Sequence, residues 1–170
     1  ATAIEGEDDT LAFNINAVGT ANTAAETLAS NASHVALATS SYETIDVTSS
    51  GTAQNLIDLS GASGAETIKL SGTALSVADV AAGTETIDAS GMTGALTIGT
   101  DSITGGGLAS VTLGAGDDTL SVAAADLNAS VTINGGAGTD TVSLSGAGQT
   151  MAPTLTNVEK IDVTEVSGTS

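Results

Sequence analysis

Glu66-Thr67-Ile68-Lys69-Leu70 opens on an acidic residue, a threonine and an aliphatic residue, and this triplet recurs through the chain. Nine copies, of which those at 101 and 159 are looser, begin at Asp9, Glu26, Glu43, Glu66, Glu85, Asp101, Asp118, Asp140 and Glu159. Repeats of this length are typical of solenoids, in which each repeat contacts only its neighbours. If each repeat is one coil, the triplets stack and nine carboxylates form one column.

Each repeat contains two short segments in which polar and aliphatic residues alternate. One segment follows the acid, as in Thr119-Leu120-Ser121-Val122, and the other precedes the next acid, as in Val131-Thr132-Ile133. This alternation is typical of strands with one buried face. We therefore predict an all-β fold, a parallel β-solenoid (β-roll or β-helix) of about nine coils with roughly 18–19 residues each. The alternative is an antiparallel β-sandwich, which does not explain the acid-Thr start of every second strand.

The composition suits a narrow, layered core. Hydrophobic residues make up 41% of the 170 residues, but Phe13 and Tyr42 are the only aromatic residues. A wide core normally uses aromatic side chains, whereas a thin core of one or two aliphatic residues per layer does not need them. We expect residues 1–170 to form a single solenoid domain, with its most distinctive turns in 108–146.

The charge limits the partners. The formal net charge is −18, with only two basic residues. This excludes nucleic-acid binding through a basic patch, disfavours anionic membrane surfaces and favours inorganic cations. Cysteine is absent, which excludes disulfides and Cys-ligated metals. No apolar run reaches the length of a membrane span, and the start at Ala1 without a leader pattern suggests a processed protein or an excised segment.

Two glycine-rich turns carry the strongest chemical signal. Gly135-Gly136-Ala137-Gly138-Thr139-Asp140-Thr141-Val142 fits the calcium-binding pattern G-G-x-G-x-D-x-U-x, and residues 113–120 fit it with Leu113 in place of the first glycine. Calcium takes six to eight oxygen ligands, and glycines let a tight turn aim carbonyls at an ion. Stacked carboxylates ~5 Å apart repel by about 1 kcal/mol per pair in water, and a divalent cation reverses that sign. The sequence therefore predicts Ca²⁺ at these turns.

These turns resemble the RTX repeats of secreted bacterial proteins. The segment 155–163, Leu-Thr-Asn-Val-Glu-Lys-Ile-Asp-Val, is similar to sequences of calcium-dependent bacterial S-layer proteins and large RTX adhesins. The resemblance implies export, a parallel β-roll or β-helix, and calcium held in its turns. The ligands that it implies are carbonyls of Gly114, Gly116, Gly136 and Gly138 and the side chains of Asp118 and Asp140, and we add Asp117 and Asp101 to the candidate set. Unlike RTX arrays, this chain has no tandem nonapeptides, which predicts calcium on one edge only.

The expected function is structural. The first and last triplets look like interior ones, and a solenoid without caps tends to stack end to end. We expect a secreted, extracellular or cell-surface protein that assembles with itself into a calcium-dependent layer or filament, with cell-surface glycans as a further partner class and no membrane insertion. The alternatives are a calcium-folded RTX module of a larger adhesin or secreted enzyme and, as a minor one, an ice-binding solenoid with a threonine column. We expect no catalysis within the chain, because His34 stands without a catalytic signature.

Overall fold

The fold is known from a computed structural model that describes residues 9–17, 35–100, 107–146 and 151–164. These residues form fourteen strands and one 3-10 turn. In chain order they are β1 (Thr10–Ala17), β2 (Val35–Ala38), β3 (Thr44–Gly51), β4 (Asn55–Gly61), β5 (Thr67–Gly72), β6 (Leu75–Val80), β7 (Thr86–Met92), β8 (Leu96–Gly99), β9 (Ser110–Thr112), β10 (Thr119–Ala123), the 3-10 turn Ala124–Asp126, β11 (Thr132–Asn134), β12 (Thr141–Ser145), β13 (Thr154–Thr156) and β14 (Lys160–Thr164).

The strands alternate between two parallel sheets. The first sheet has the order β1-β3-β5-β7-β9-β11-β13, and the second has the order β2-β4-β6-β8-β10-β12-β14. Each coil therefore gives one strand to each sheet, and the next coil repeats the pair. The predicted all-β parallel solenoid is confirmed. The antiparallel sandwich is wrong, because all pairings between these strands are parallel.

The coils are fewer and longer than predicted. Thr67 pairs with Thr86, which gives a coil of 19 residues, but Thr86 pairs with Ser110 and Thr119 with Thr141, which gives coils of 24 and 22 residues. Seven strands in each described sheet replace the predicted nine coils. The triplet spacing underestimates the number of residues per coil, because some steps between triplets are shorter than one full coil.

The acidic triplets do not form one column. Those at Asp9, Glu43, Glu66 and Glu85 precede strands of the first sheet, whereas those at Asp118, Asp140 and Glu159 precede strands of the second sheet. The switch occurs because Glu85 and Asp118 are separated by about one and a half coils. The triplets at Glu26 and Asp101 lie outside the described residues. The expected single column is therefore two shorter ones, on different sheets.

The core consists of two facing aliphatic columns. Strand register aligns in the first sheet Leu11, Ile45, Ile68, Ile87, Val111, Ile133 and Leu155. In the second sheet it aligns Val35, Ile57, Val77, Ile98, Leu120, Val142 and Ile161. The interior members of both columns are buried, and they belong to one continuous hydrophobic cluster. β-branched and other aliphatic side chains pack well against the next pleated strand, so this narrow core forms without aromatic bulk.

The outer face of the first sheet carries a column of hydroxyl side chains. In strand register they are Thr10, Thr44, Thr67, Thr86, Ser110, Thr132 and Thr154. The triplet pattern does not identify Ser110, Thr132 and Thr154, because no acid precedes them. Two residues further on, the aligned positions include Asp46, Lys69 and Asp88, so the adjacent column is charged and irregular. In the described part of the chain, no helix is long and apolar enough to span a membrane.

We expect Ile98→Ala to destabilise the fold by about 2–5 kcal/mol, because it removes a fully buried layer of the second-sheet column. Thr97→Ala, on the exposed side of the same strand, should change the free energy of unfolding by less than about 0.5 kcal/mol. Urea unfolding followed by circular dichroism measures both. Equal effects of the two substitutions would contradict the placement of this column in the core.

Candidate functional site

A chain of carboxylate-to-amide hydrogen bonds runs along the turn that enters the second sheet. The N–H of Leu96 donates to Asp118 Oδ1 at 2.8 Å, the N–H of Asp118 donates to Asp140 Oδ1 at 2.9 Å, and the N–H of Asp140 donates to Glu159 Oε2 at 2.8 Å. Each acid thus accepts the amide of the equivalent residue in the preceding coil. We call Asp118, Asp140 and Glu159 the carboxylate ladder.

The ladder arises where a turn becomes a strand. The carbonyl of Asp140 already accepts the N–H groups of Glu159 and Lys160, at 3.1 and 3.0 Å. The amide of Asp140 faces the same neighbouring coil and needs a separate acceptor, since a buried N–H without a partner is costly. The side chain of Glu159 supplies it. A similar bond on the first sheet joins the N–H of Asp9 to Glu43 Oε2 at 2.9 Å.

Both side-chain oxygens of Asp118 accept a backbone N–H. Its side chain is 1% exposed; besides the bond from Leu96, its Oδ2 accepts the N–H of Gly114 at 3.0 Å. Two backbone donors therefore face the two oxygens of one buried carboxylate. Each oxygen has a second lone pair, so the prediction that Asp118 binds calcium stays a prediction. The hydrogen bonds give Asp118 a structural role. Its side chain binds the preceding coil at Leu96, and its backbone N–H binds the following coil at Asp140.

Asp140 is only half satisfied. It is also 1% exposed, and its Oδ1 accepts the amide of Asp118, but its Oδ2 is buried with no hydrogen-bond partner. The amide that matches the donor of Gly114 is that of Gly136, and it donates instead to Asn134 Oδ1 at 3.2 Å. One oxygen of a buried carboxylate is thus left without a donor, which is unfavourable unless a cation or proton occupies it.

A second oxygen approaches the same glycine as this unpaired one. A Cβ placed on Gly135 would stand 2.6 Å from Asp140 Oδ2 and would also collide with the carbonyl oxygen of Asn157. Both oxygens therefore approach the same side of Gly135, where a larger residue would not fit. Sequence reasoning identified neither Gly135 nor Asn157 as part of the site, because the pattern assigns no ligand to the first glycine and Asn157 belongs to the next coil.

The glycine turns stack directly on one another. Gly136 and Gly138 have φ of 94° and 135°, a region that other residues rarely adopt. Ala137 N–H donates to Gly114 O at 3.0 Å, and Cβ atoms at Gly136 and Gly138 would collide with the carbonyls of Gly114 and Gly116. These four predicted ligand residues are therefore together, in two successive turns.

The other predicted ligands are more peripheral. Asp117 is exposed, and its Oδ1 accepts the N–H of Thr139 at 2.9 Å, which links the two glycine turns. Asp101 lies outside the described residues. Among the residues that the structure describes, no three acidic or histidine side chains converge as a metal site by themselves. An ion at this turn would therefore need carbonyl or water oxygens beside its carboxylates.

Burial affects the pKa of the two aspartates of the ladder. Loss of solvent raises the pKa of Asp118 above its ordinary value, against the opposing effect of the amides of Leu96 and Gly114. Loss of solvent also raises the pKa of Asp140, and the negative charges of Glu159 and Asp117 raise it further. Both carboxylates are thus held in surroundings that disfavour their charge. A bound cation would offset this cost for Asp140 in particular.

Comparison with known proteins adds no relative: no family model, no curated protein and no solved structure matches this chain. The function therefore has to be argued from the residues of the site.

We expect opposite results from the amide substitutions of the two buried aspartates in the absence of calcium. Asp118→Asn places an NH₂ group against a backbone donor and should lower the free energy of unfolding by about 1–3 kcal/mol. Asp140→Asn keeps an acceptor for the Asp118 amide and replaces the unpaired charged oxygen, so stability should be unchanged or increased. Urea unfolding in EGTA measures both, and equal destabilisation would contradict the hydrogen-bond assignment of the ladder.

The difference between wild type and Asp140→Asn should depend on pH. A carboxyl with a raised pKa in the folded state costs stability when it is charged, and this cost disappears as pH falls from the folded pKa towards the ordinary value of 3.8. The free energy of unfolding of the variant should therefore exceed that of wild type most at neutral pH, and the two values should converge near pH 4. Unfolding measured in EGTA from pH 7 to pH 4 tests this, and a gap that widens on acidification would show the opposite shift.

Proposed function

We propose that this protein is an extracellular structural protein whose solenoid is stabilised by Ca²⁺ and assembles with itself into a surface layer or filament. The observation that carries the proposal is the buried Oδ2 of Asp140, which has no hydrogen-bond partner and approaches Gly135 together with the carbonyl oxygen of Asn157. The chain that contains it has a net charge of −18.

The local chemistry suits calcium better than a proton or a basic side chain. The charges of Glu159 and Asp117 reach Asp140, which favours a cation there. The nearest lysine, Lys160, pairs with Asp162 at 2.6 Å in an exposed ion pair, so it does not neutralise Asp140. The oxygens that approach Gly135 belong to the Asp140 carboxylate and the Asn157 carbonyl, and a hard cation such as Ca²⁺ prefers ligands of this kind.

Asp140 and the carbonyls of the glycine turn are the residues that would hold the ion. Bound calcium would supply positive charge between coils whose carboxylates otherwise repel one another. This would make the C-terminal coils more stable with calcium than without it. Asp118 would contribute mainly through its bonds to the backbone, which hold the two turns in register.

The outermost described strands, β1 and β2 at one end and β13 and β14 at the other, support assembly. Parallel sheets end in strands with unpaired N–H and C=O groups, and such edges pair readily with other strands. High negative charge opposes the approach of two copies at low salt, and calcium reduces that repulsion. Calcium would therefore promote both folding and association, at a secreted or cell-surface location where it is abundant.

The second candidate is a calcium-folded RTX module of a larger adhesin or secreted enzyme. It uses the same site but predicts a chain that folds with calcium and remains monomeric. The ice-binding alternative receives less support, because the hydroxyl column of the first sheet is flanked by the charged residues Asp46, Lys69 and Asp88. We propose no catalytic role for the chain.

We expect calcium to raise the thermal stability of the wild-type chain, by about 2.7 kcal/mol when free calcium is 100 times the dissociation constant. Asp140→Asn should lose most of this gain, whereas Glu66→Gln, at an exposed acid of the first sheet, should keep it. Thermal unfolding by circular dichroism in calcium and in EGTA measures the gain. Electron microscopy of the same samples should show fibres or sheets only in calcium.

The outcomes separate the candidates. A calcium gain without assembly would favour the module. An equal gain in wild type and in Asp140→Asn would place the ion elsewhere, and no gain in the wild type would remove calcium from the proposal.

A further inference from the structure

We propose that the solenoid associates head to tail, with the β13–β14 end of one copy pairing with the β1–β2 end of another. This inference rests on the self-assembly proposed above and names the surfaces that form the contact. It depends on strand register and on exposed apolar residues of the described chain, and not on calcium.

The β13–β14 end exposes the core. In the second-sheet column, Ile57, Val77, Ile98, Leu120 and Val142 are at most 1% exposed, but Ile161, the outermost member, is 51% exposed. Val163, two residues further along β14, is 62% exposed. They are the two large hydrophobic residues of the described chain that are clearly exposed. Each interior layer is covered by the next described coil, whereas Ile161 and Val163 belong to the outermost described layer.

An apolar groove lies between the two sheets at the same end. It has a volume of about 230 Å³, and Leu127, Leu144, Met151, Pro153, Leu155 and Ile161 contribute to its lining. An apolar cavity of about 150 Å³ already accepts a benzene ring, so this groove is large enough for apolar side chains from an incoming coil. Its position continues the line of the core rather than opening on the outer face of either sheet.

The β1–β2 end has the matching features. Leu11, Phe13 and Leu37 lie on its outermost strands and are only partly buried, although they pack against the core. Continuing the observed register by one coil places Ile161 opposite Val35 and Asp162 opposite Ala36 in the second sheet. In the first sheet it places Leu155 opposite Leu11, so both aliphatic columns would continue from one copy into the next.

A second copy fits this end better than a single peptide segment does. Among the described strands, the outermost at this end are β13 in the first sheet and β14 in the second. One extended segment can pair with only one of them, whereas the β1–β2 end of another copy provides a strand for each, in the same parallel direction. The two surfaces are different, so the contact is heterologous and each addition leaves a free end, which gives an open filament.

Disulfide trapping tests the register directly, because the natural chain has no cysteine. Asp162→Cys and Ala36→Cys each place one thiol on a polar or exposed position of an end strand. Neighbouring residues in paired strands lie ~4.8 Å apart, within the usual disulfide range of Cα separations. Under mild oxidation in calcium, neither single variant should cross-link with itself, while their mixture should give disulfide-linked heterodimers.

Three other results would overturn the inference. Dimers of Asp162→Cys alone would indicate that two identical ends meet. Absence of heterodimers from a mixture that still assembles would show that the filament uses other surfaces, which would leave the proposed function standing. If the wild-type chain does not associate at all, both proposals fail. Assembly that persists in EGTA with cross-linking in this register would remove only the role of calcium.

A second pair of variants checks the apolar contribution without oxidation. Ile161→Glu/Val163→Glu should weaken association by more than about tenfold, because ions would be buried in an apolar contact. Ala95→Glu/Thr97→Glu adds the same charge at exposed positions with the same spacing on and beside β8, and should have a much smaller effect. Sedimentation velocity measures association, with circular dichroism to confirm folding. Equal weakening by both variants would assign the effect to charge alone and overturn the proposed interface.

Discussion

The structure depends on the parallel pairing of each coil with the next, in which a residue meets the equivalent residue of its neighbour. This constraint turns sequence positions into columns that run along the stack. A column must contain residues of similar size and polarity, because each layer has the same space. Thus the two core columns are aliphatic from Leu11 to Leu155 and from Val35 to Ile161. Differences in coil length are absorbed outside these columns, by turns and by register shifts such as the one between Ile57 and Leu59.

The same constraint explains the acids. Where a turn becomes a strand, a backbone amide points along the stack and requires an acceptor, and an acid in the next coil provides one. This role needs no metal. Asp118 fulfils it with Oδ1, which accepts the amide of Leu96, while its Oδ2 accepts the amide of Gly114 in its own turn. Asp140 has the same place in the next coil, but Asn134 accepts the amide of Gly136 and leaves one oxygen of Asp140 unpaired. Two identical motif positions thus differ in chemistry because of one neighbouring side chain.

The two proposals rest on two features of the described residues. One is the buried Oδ2 of Asp140, which has no hydrogen-bond partner. The other is the outermost described layer of the second sheet, in which Ile161 and Val163 are exposed. The proposed calcium binding and the proposed head-to-tail contact correspond to these two features. The two features lie in neighbouring coils, because Glu159, which accepts the amide of Asp140, directly precedes β14. In the proposed assembly, an ion bound at Asp140 would therefore also order the strand that pairs with the next copy.

The sequence by itself determined the fold class and most strands, because polar–aliphatic alternation and a recurring triplet are local patterns that need no knowledge of distant residues. It also brought attention to the turns around Asp118 and Asp140. Only the tertiary structure decided the coil length, the division of the acids between two sheets, and the partners of each carboxylate oxygen. These depend on which residues of successive coils face one another, and a slip of half a coil moves a triplet to the opposite sheet without changing its local sequence. The spacing of 33 residues from Glu85 to Asp118 hides such a slip, and only the register of the strands reveals it.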